Sequence, residues 1–144
     1  MAIRYHHTQH SMLMPAILLV EGLAFAATGD FDTLSAWRST AWTVAILFVI
    51  LAWLFSSLTV EVDEKELRWH FGPGLWAYRI ARAEVESVAA VRNHWLNGFG
   101  IRMRPGYRLY NVSGLDAVEL RLKSGGVRRI GTDDPEALAN ALRS

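Results

Sequence analysis

The chain has 144 residues, a formal net charge of +1 and no cysteine. The near-neutral charge argues against a nucleic-acid-binding protein, which displaces counterions from phosphates with a strongly basic surface. The lack of cysteine excludes disulfide bonds, thiolate nucleophiles and cysteine-ligated metals.

The distribution of charge divides the chain into two parts. Residues 1–60 contain two basic and three acidic residues, whereas the rest of the chain contains 13 basic and 11 acidic ones. This length accommodates a small domain with a membrane anchor, because domains usually run about 100 to 150 residues. We therefore expect an apolar N-terminal segment at 1–57 and a folded domain at 58–144.

The N-terminal segment contains two apolar runs. Residues 41–59 carry no charge and have the roughly 20 residues that a helix needs to cross a bilayer. The pattern predicts a transmembrane helix there that runs directly into the first strand. The run at about 12–29 is shorter and carries Glu21 near its middle, so it is predicted to insert as a hairpin with the second helix.

Glu21 has two interpretations. It either forms a hydrogen bond within the hairpin, for instance to the Trp53 indole, or it docks another membrane subunit. Gly22, which follows it, permits close contact between helices. Both residues are therefore candidates for intramembrane docking.

The positive-inside rule predicts the orientation of the hairpin. Arg4 on one flank and Lys65 and Arg68 on the other outnumber Arg38 in the intervening loop. Because basic flanks stay in the cytoplasm, we expect a multi-pass protein of the inner membrane with both termini cytoplasmic.

From residue 58 onward, apolar and polar residues alternate as in half-buried strands. Glycine-containing turns separate the runs, and Ser124-Gly125-Gly126 is typical of a tight hairpin. Asp133 or Asp134, followed by Pro135, predicts the start of a C-terminal helix. The pattern predicts seven or eight antiparallel strands, at 58–62, 67–71, 76–80, 86–92, 99–104, 107–112, 117–123 and 127–130.

Four segments resemble the bacterial pleckstrin-homology (PH) domain membrane proteins. They are YRIARAEVESV at 78–88, NGFGIR at 97–102, YNVSGLDAVEL at 110–120 and RIGTDDPE at 129–136. The resemblance covers about the last 85 residues. It implies an α+β fold with a two-helix transmembrane hairpin, followed by a PH-like antiparallel β-barrel or sandwich of about seven strands with a C-terminal helix.

The resemblance does not extend to phosphoinositide recognition. Phosphoinositide-binding PH domains carry a dense Lys/Arg cluster in their first hairpin, whereas the first hairpin here, EVDEKE at 61–66, is acidic. Inositol-phosphate binding by that route is not expected.

A local excess of arginine marks a candidate surface for anionic lipid headgroups or an acidic partner. The alternative interpretation, without a binding role, is that these arginines form the solvated faces of strands. Trp95, in the loop at 93–98, is either an anchor for a partner or a plug for the open end of the barrel, and the plug is favoured. The candidate residues are Arg79, Arg82, Arg92, Arg102, Arg104, Arg108 and Trp95.

No catalytic or metal site is predicted. His6 and His10 have the spacing of a metal-binding pair on a helix, but with His7 they are interpreted as solvated side chains of a frayed terminus. His70 and His94 are isolated, and no catalytic constellation can be assembled. No cofactor is expected.

Together these features predict a non-enzymatic, membrane-tethered interaction module on the cytoplasmic face of a bacterial inner membrane, which binds a protein partner or anionic lipid headgroups. The alternative is an accessory or assembly subunit of a larger membrane complex. An enzyme that acts on a membrane substrate is the least favoured class. Predicted partners are membrane lipids and another membrane protein or a second copy, without nucleic acid or a small-molecule substrate.

Overall fold

Nine strands in two sheets dominate the part of the chain that the structure describes, which comprises residues 3–12, 15–17, 20–21, 35–97 and 100–144 of a computed structural model. Residues 15–17 and 20–21 are helical. The main elements are β1 (Tyr5–His10), α1 (Ser35–Leu54), β2 (Ser57–Val62), β3 (Glu66–Phe71), β4 (Trp76–Ala81), β5 (Val85–Arg92), β6 (Gly100–Arg104), β7 (Tyr107–Asn111), β8 (Asp116–Leu122), β9 (Val127–Gly131) and α2 (Pro135–Arg143).

The first sheet is an antiparallel meander with the order β1-β2-β3-β4. The second has the order β5-β8-β9-β7-β6. In the second sheet β7 pairs with β9 in the parallel direction, so the prediction of a purely antiparallel sheet is wrong. Alternation of apolar residues identifies strands but not their neighbours, and the β6–β7 hairpin lies beside β9.

The core lies between the inner faces of the two sheets and under α2. Residues with period two supply it, since successive side chains of a strand point to opposite faces. Its largest fully buried side chains include Trp69, Phe71, Leu58, Leu67, Leu120, Ile130 and Leu138.

The C-terminal helix begins as the sequence predicts. The side chain of Asp134 accepts a hydrogen bond of 3.2 Å from the backbone N–H of Ala137, and Pro135 occupies the first turn. Leu138, Ala139 and Leu142 are buried. The capped helix therefore covers one side of the core.

The prediction of a transmembrane hairpin at 12–29 and 41–59 is wrong. In the described part of the chain, no helix is both long enough and apolar enough to cross a membrane. Helix α1 ends at Leu54, and β2 begins at Ser57, because the residues after 57 pair with β3. Of the 19 residues at 41–59, the last five lie outside the helix, and Ser57–Val62 form β2 instead. The prediction of a multi-pass location with two cytoplasmic termini depends on this hairpin and is therefore also wrong.

The prediction of a frayed N-terminus is also wrong. Residues 5–10 form β1, which pairs antiparallel with β2 over six residues. Gln9 and Ser11 are buried, and the side chain of Gln9 donates a hydrogen bond of 3.1 Å to the backbone oxygen of Ser113. His7 contacts Asp133 through its Nε2 atom. The segment is thus an edge strand that also touches the start of α2.

The β2–β3 turn is organised by the Asp63 carboxylate. It accepts hydrogen bonds of 2.7 Å from the backbone N–H groups of Glu66 and Lys65 and lies 3.2 Å from the Arg68 guanidinium. The two backbone donors, Glu66 first, lower the pKa of Asp63 below its ordinary value of 3.8. The charged carboxylate is therefore favoured by the folded state.

This turn gives a prediction for the pH dependence of stability. A lowered pKa contributes stability that is present above pH 3.8 and is lost as the pH falls through the lower folded value. In Asp63→Asn the amide oxygen still accepts both backbone hydrogen bonds but does not titrate. We expect the variant to lose less stability on acidification than the wild type, measured by urea unfolding on both sides of pH 3.8. Parallel acid slopes would contradict this role.

Candidate functional site

A cavity of about 340 Å³ lies between the inner faces of the two sheets. Strands β3 and β4 form one wall, and β7, β8 and β9 form the other. Its size falls in the range of small-molecule sites, about 300 to 1,000 Å³. We call it the inter-sheet cavity, and it is lined by Trp69, Tyr78, Arg79, Ile80, Glu84, Arg108, Tyr110, Leu122, Ser124 and Arg128.

Three aromatic rings form the inner wall of this cavity. Trp69 and Tyr78 are cross-strand partners, with ring centroids 5.6 Å apart and ring planes at 17°. Tyr110 meets both, at 5.1 Å from Trp69 and 4.9 Å from Tyr78. The wall is therefore rigid, because each ring contacts the other two.

Trp69 has a polar atom that the fold does not satisfy. The residue is 2% exposed, and its buried indole Nε1 has no hydrogen-bond partner among the described residues. A buried donor without a partner costs about 1 to 3 kcal/mol. The indole N–H is therefore an unsatisfied donor in the core that is closed to solvent.

Arg108 and Arg128 lie side by side at the cavity. They are directly opposite each other in the parallel pairing of β7 with β9, and both contribute to its lining with Arg79. Arg108 shares a strand face with Tyr110, and Arg128 shares one with Ile130, so both project from the core side of the sheet. Like charges directly opposite on neighbouring strands repel.

In the described residues, no carboxylate lies within 4.0 Å of the Arg79, Arg108 or Arg128 guanidinium. Arg128 donates a hydrogen bond of 3.1 Å to the backbone oxygen of Val127. Glu84 is the one acidic residue of the lining, which leaves the three arginines in excess.

Arg129, the neighbour of Arg128, has a carboxylate partner. It lies 2.8 Å from the carboxylate of Glu119 and 4.0 Å from the centroid of the Tyr107 ring. On β9, Arg129 of the outer face thus has a carboxylate partner, whereas Arg128 of the inner face has no carboxylate within 4.0 Å among the described residues.

The structure divides the arginines that the sequence grouped into one surface. Met103 and Arg108 are cross-strand partners, so Arg108 lies on one face of the β6–β7 hairpin, and Arg102 and Arg104 lie on the other. Arg92 is exposed on β5. Arg82 donates to the backbone oxygens of Asp63 and Leu142, both at 3.1 Å, and is therefore a structural residue.

Sequence reasoning missed Arg128. A signal was present, since Ile130 is apolar and period two places Arg128 on the same face. Its nearness to Arg108 could not be read from the sequence, because it depends on the parallel pairing of β7 with β9.

Trp95 does not plug the barrel. It is 69% exposed, and the next residue, Leu96, is 61% exposed. Arg104 donates a hydrogen bond of 2.8 Å to the backbone oxygen of Leu96, and Asn97 donates one of 3.0 Å to the Tyr107 hydroxyl. These bonds hold the short 3-10 turn at Trp95–Asn97 on the outer face of the edge strand β6.

The largest apolar surface belongs to α1. Its exposed residues are consecutive between 46 and 51, so they face every direction around the helix axis. The side chains that are more than 40% exposed are Trp42, Val44, Ile46, Leu47, Phe48, Val49, Ile50, Leu51 and Trp53. Among residues 42–54 of the helix, Ala52 and Leu54 near its end are the buried ones.

The predicted intramembrane docking residues are placed only in part. Glu21 is helical and exposed, and Gly22 lies outside the described residues.

The histidines near the N-terminus lie on a strand instead of a helix. His6 lies 3.8 Å from Glu61, and its four-residue spacing from His10 therefore no longer indicates a metal-binding pair. Within the described ranges, no group of three or more metal-ligating side chains occurs.

No protein-family model and no curated protein matches this chain. The resemblance to PH domains therefore stays a prediction.

Proposed function

We propose that the chain is a non-enzymatic interaction module that works as a subunit of a protein complex, with α1 enclosed by helices of another protein chain. The observation that carries this proposal is the exposure of nine large apolar side chains along α1, from Trp42 to Trp53. A helix that is apolar on all sides is stable only when it is surrounded.

The size of this surface supports an obligate partner over a passing contact. Full burial of one large apolar side chain contributes about 1.5 to 3 kcal/mol. Covering the nine half-exposed side chains of α1 would gain on the order of 10 kcal/mol. Patches of this kind mark interaction sites in folded proteins.

The end of α1 transmits the position of this helix to the β-domain. Phe55 stacks on Trp76 at 5.6 Å and contacts Phe71 at 5.4 Å. Two residues separate the helix from β2. A partner that holds α1 would therefore also fix the orientation of the two sheets, and the β-domain would present its own surfaces at a defined place in the complex.

The exposed turn at Trp95 supports a second contact. Trp95 and Leu96 form an exposed apolar patch, next to which Arg104 of the edge strand β6 donates to the Leu96 backbone oxygen. Tryptophan and arginine are enriched among the residues that dominate binding energy at interfaces. An acidic segment with an apolar side chain would suit this patch.

The experiment uses the full chain with a photoreactive residue in place of Phe48, expressed at native level in its own cells. We expect a cross-link to a protein chain of stoichiometric amount. Leu47→Glu together with Ile50→Glu should reduce recovery of that chain at least tenfold, since two charges cannot be buried without partners. Leu75→Glu is the matched control, because Leu75 is 69% exposed in the β3–β4 turn.

Two results would overturn this proposal. One is a cross-link to lipid or detergent without a protein product. The other is recovery of the same complex from the doubly charged variant as from Leu75→Glu.

A further inference from the structure

We infer that the outer edge of β6 binds an acidic, extended segment of another protein, which adds to the five-stranded second sheet as a further strand. The inference deepens the second contact named in the proposed function and rests on that contact, but it does not depend on the role of α1. It is carried by an open strand edge, a basic sheet face and an exposed aromatic turn beside them.

Strand β6 lies at one end of the second sheet, and none of the described strands pairs with its outer edge. In its hairpin with β7, Arg104 lies opposite Tyr107 across a two-residue turn, and the two ends of such a turn bond to each other. Since only alternate residues of an antiparallel strand bond to the partner strand, the backbone N–H and C=O groups of Ile101 and Met103 point away from β7. Such groups are a template for another strand.

The outer face of the second sheet is basic near this edge. Glu119 pairs with Arg129 at 2.8 Å and with Arg121 at 3.4 Å. Arg102 and Arg104 lie on the same face of the sheet, because Arg102 is opposite Leu109 and Leu109 is opposite Arg129. Across β6, β7, β8 and β9, this face therefore carries four arginines and one carboxylate, and two of the arginines lie on the edge strand.

This charge selects the partner. No acidic residue occurs between Glu86 and Asp116, whereas that interval contains four arginines. A second copy that paired β6 with β6 would bring Arg102 and Arg104 of both chains together, and like charges on neighbouring strands repel. A strand with alternating acidic residues would instead place carboxylates beside these arginines, where opposite charges stabilise the pairing.

The turn at Trp95–Asn97 adds an aromatic contact on the same face. Arg104 donates a hydrogen bond of 2.8 Å to the Leu96 backbone oxygen, and Asn97 donates one of 3.0 Å to the Tyr107 hydroxyl. These bonds fix the turn to both β6 and β7, while the Trp95 side chain is 69% exposed. Exposed tryptophan on a fixed support suits a binding surface, since tryptophan is enriched among the residues that dominate binding energy.

Charged residues on an edge strand also have a purely protective explanation, because natural proteins use them to prevent association with other strands. That explanation accounts for Arg102 and Arg104. It does not account for Trp95 or for Met103, which lies on the opposite face of β6 and is 76% exposed. An edge that served only to repel strands would be polar at these positions as well.

The test is a titration of the full chain with a synthetic peptide in which glutamate alternates with valine and phenylalanine. We expect saturable binding that protects the Ile101 and Met103 backbone N–H groups from hydrogen exchange and shifts the Trp95 indole N–H resonance. The same peptide with lysine in place of glutamate should bind at least tenfold more weakly. Vesicles of anionic phospholipid and a single-stranded oligonucleotide are competing probes, and neither should protect these backbone groups, because neither has a peptide backbone.

The variants separate strand addition from general charge attraction. Met103→Pro removes an outward N–H group at a position where an edge strand tolerates proline, and it should weaken peptide binding at least tenfold. Arg102→Glu should do the same, and it tests the inference even if the proline variant does not fold. Arg92→Glu is the matched control, because it changes the net charge equally but lies on β5 at the other end of the sheet. Four strand spacings, about 19 Å, exceed the screening length of about 8 Å, so this control should bind like the wild type.

Three results would overturn the inference. The first is unchanged hydrogen exchange of Ile101 and Met103 in the presence of the acidic peptide. The second is equal affinity of Arg102→Glu and Arg92→Glu for that peptide. The third is tighter binding of the vesicles or the oligonucleotide than of the peptide.

A failure of this inference can be distinguished from a failure of the role proposed for α1. The chain with Leu47→Glu and Ile50→Glu should bind the acidic peptide like the wild type, because both changes lie on α1. Peptide binding without a protein cross-link at Phe48 would remove only the role of α1. A protein cross-link at Phe48 without peptide binding would remove only the strand addition.

Discussion

Deletion of residues 1–11 is expected to lower the free energy of unfolding by about 5 kcal/mol, because six strand pairings are lost at about 0.5 to 1.5 kcal/mol per hydrogen bond. Small domains have only about 5 to 15 kcal/mol in total. The shortened chain should therefore be close to unfolding at room temperature. It should also aggregate, since β2 would become an unprotected edge.

Several contacts outside the strand pairing add to this effect. Gln9 donates to the backbone of Ser113, and the Ser113 hydroxyl donates back to the oxygen of His10 at 3.3 Å. His7 contacts Asp133 at the start of α2. The strand thus connects the first sheet to the β7–β8 loop and to the C-terminal helix.

The measurement is urea unfolding followed by far-ultraviolet circular dichroism. A chain that lacks only residues 1–3 is the control, because it keeps all of β1. If the 11-residue deletion and the control unfold at the same urea concentration, the terminus is frayed after all, as its polar sequence suggests.

The strands from β2 onward could be predicted from sequence because their apolar residues alternate and their turns contain glycine or proline. Each predicted strand agrees with the structure to within one residue at every described end, from Ser57–Val62 to Val127–Gly131. Trp69 and Leu120 are among the residues whose period-two spacing placed them in the core. Local pattern was sufficient wherever one strand face is buried.

Strand β1 could not be predicted because its sequence, YHHTQH, has almost no apolar alternation. Its conformation comes from the free edge of β2, which offers backbone donors and acceptors regardless of side chain. Thr8 and Thr59 reinforce this pairing with a hydroxyl contact of 2.9 Å. The determinant is a tertiary contact more than 45 residues distant in sequence.

The end of α1 and the inter-sheet cavity could not be predicted from the local sequence pattern either. The apolar run at 41–59 gives no indication that the helix ends at Leu54, because buried strands and apolar helices have similar composition. The meeting of Arg108 with Arg128 depends on a parallel pairing that no local pattern encodes. The sequence could supply the candidate arginines but not their partners.

Gly72→Ala is expected to lower the free energy of unfolding by about 3 kcal/mol, because it combines backbone strain with overlap of packed backbone atoms. Gly72 has a φ angle of +47°, which disfavours any residue with a Cβ atom. A Cβ atom there would lie 2.5 Å from the backbone oxygen of Leu54 and 3.0 Å from that of Trp53. Those oxygens belong to the end of α1, and backbone cannot rotate away as a side chain can.

Gly125→Ala is the matched control for this effect. Gly125 has a φ angle of +86° in the β8–β9 turn, and a Cβ atom there would meet nothing within 4 Å. It should lose only the cost of the left-handed conformation, about 1 to 2 kcal/mol. The difference between the two variants, measured by urea unfolding of both proteins in parallel, isolates the contact between Gly72 and the end of α1.

This contact also decides whether α1 has a fixed direction relative to the sheets. If Gly72→Ala costs clearly more than Gly125→Ala, the last turn of α1 rests on the β3–β4 turn, and its apolar surface is held at one angle to the β-domain. A partner would then meet a preorganised helix, and the binding step would not require the helix to be ordered first. Equal losses from the two variants would instead mean that the end of α1 yields to the new methyl group, and a complex built on α1 could not position the two sheets.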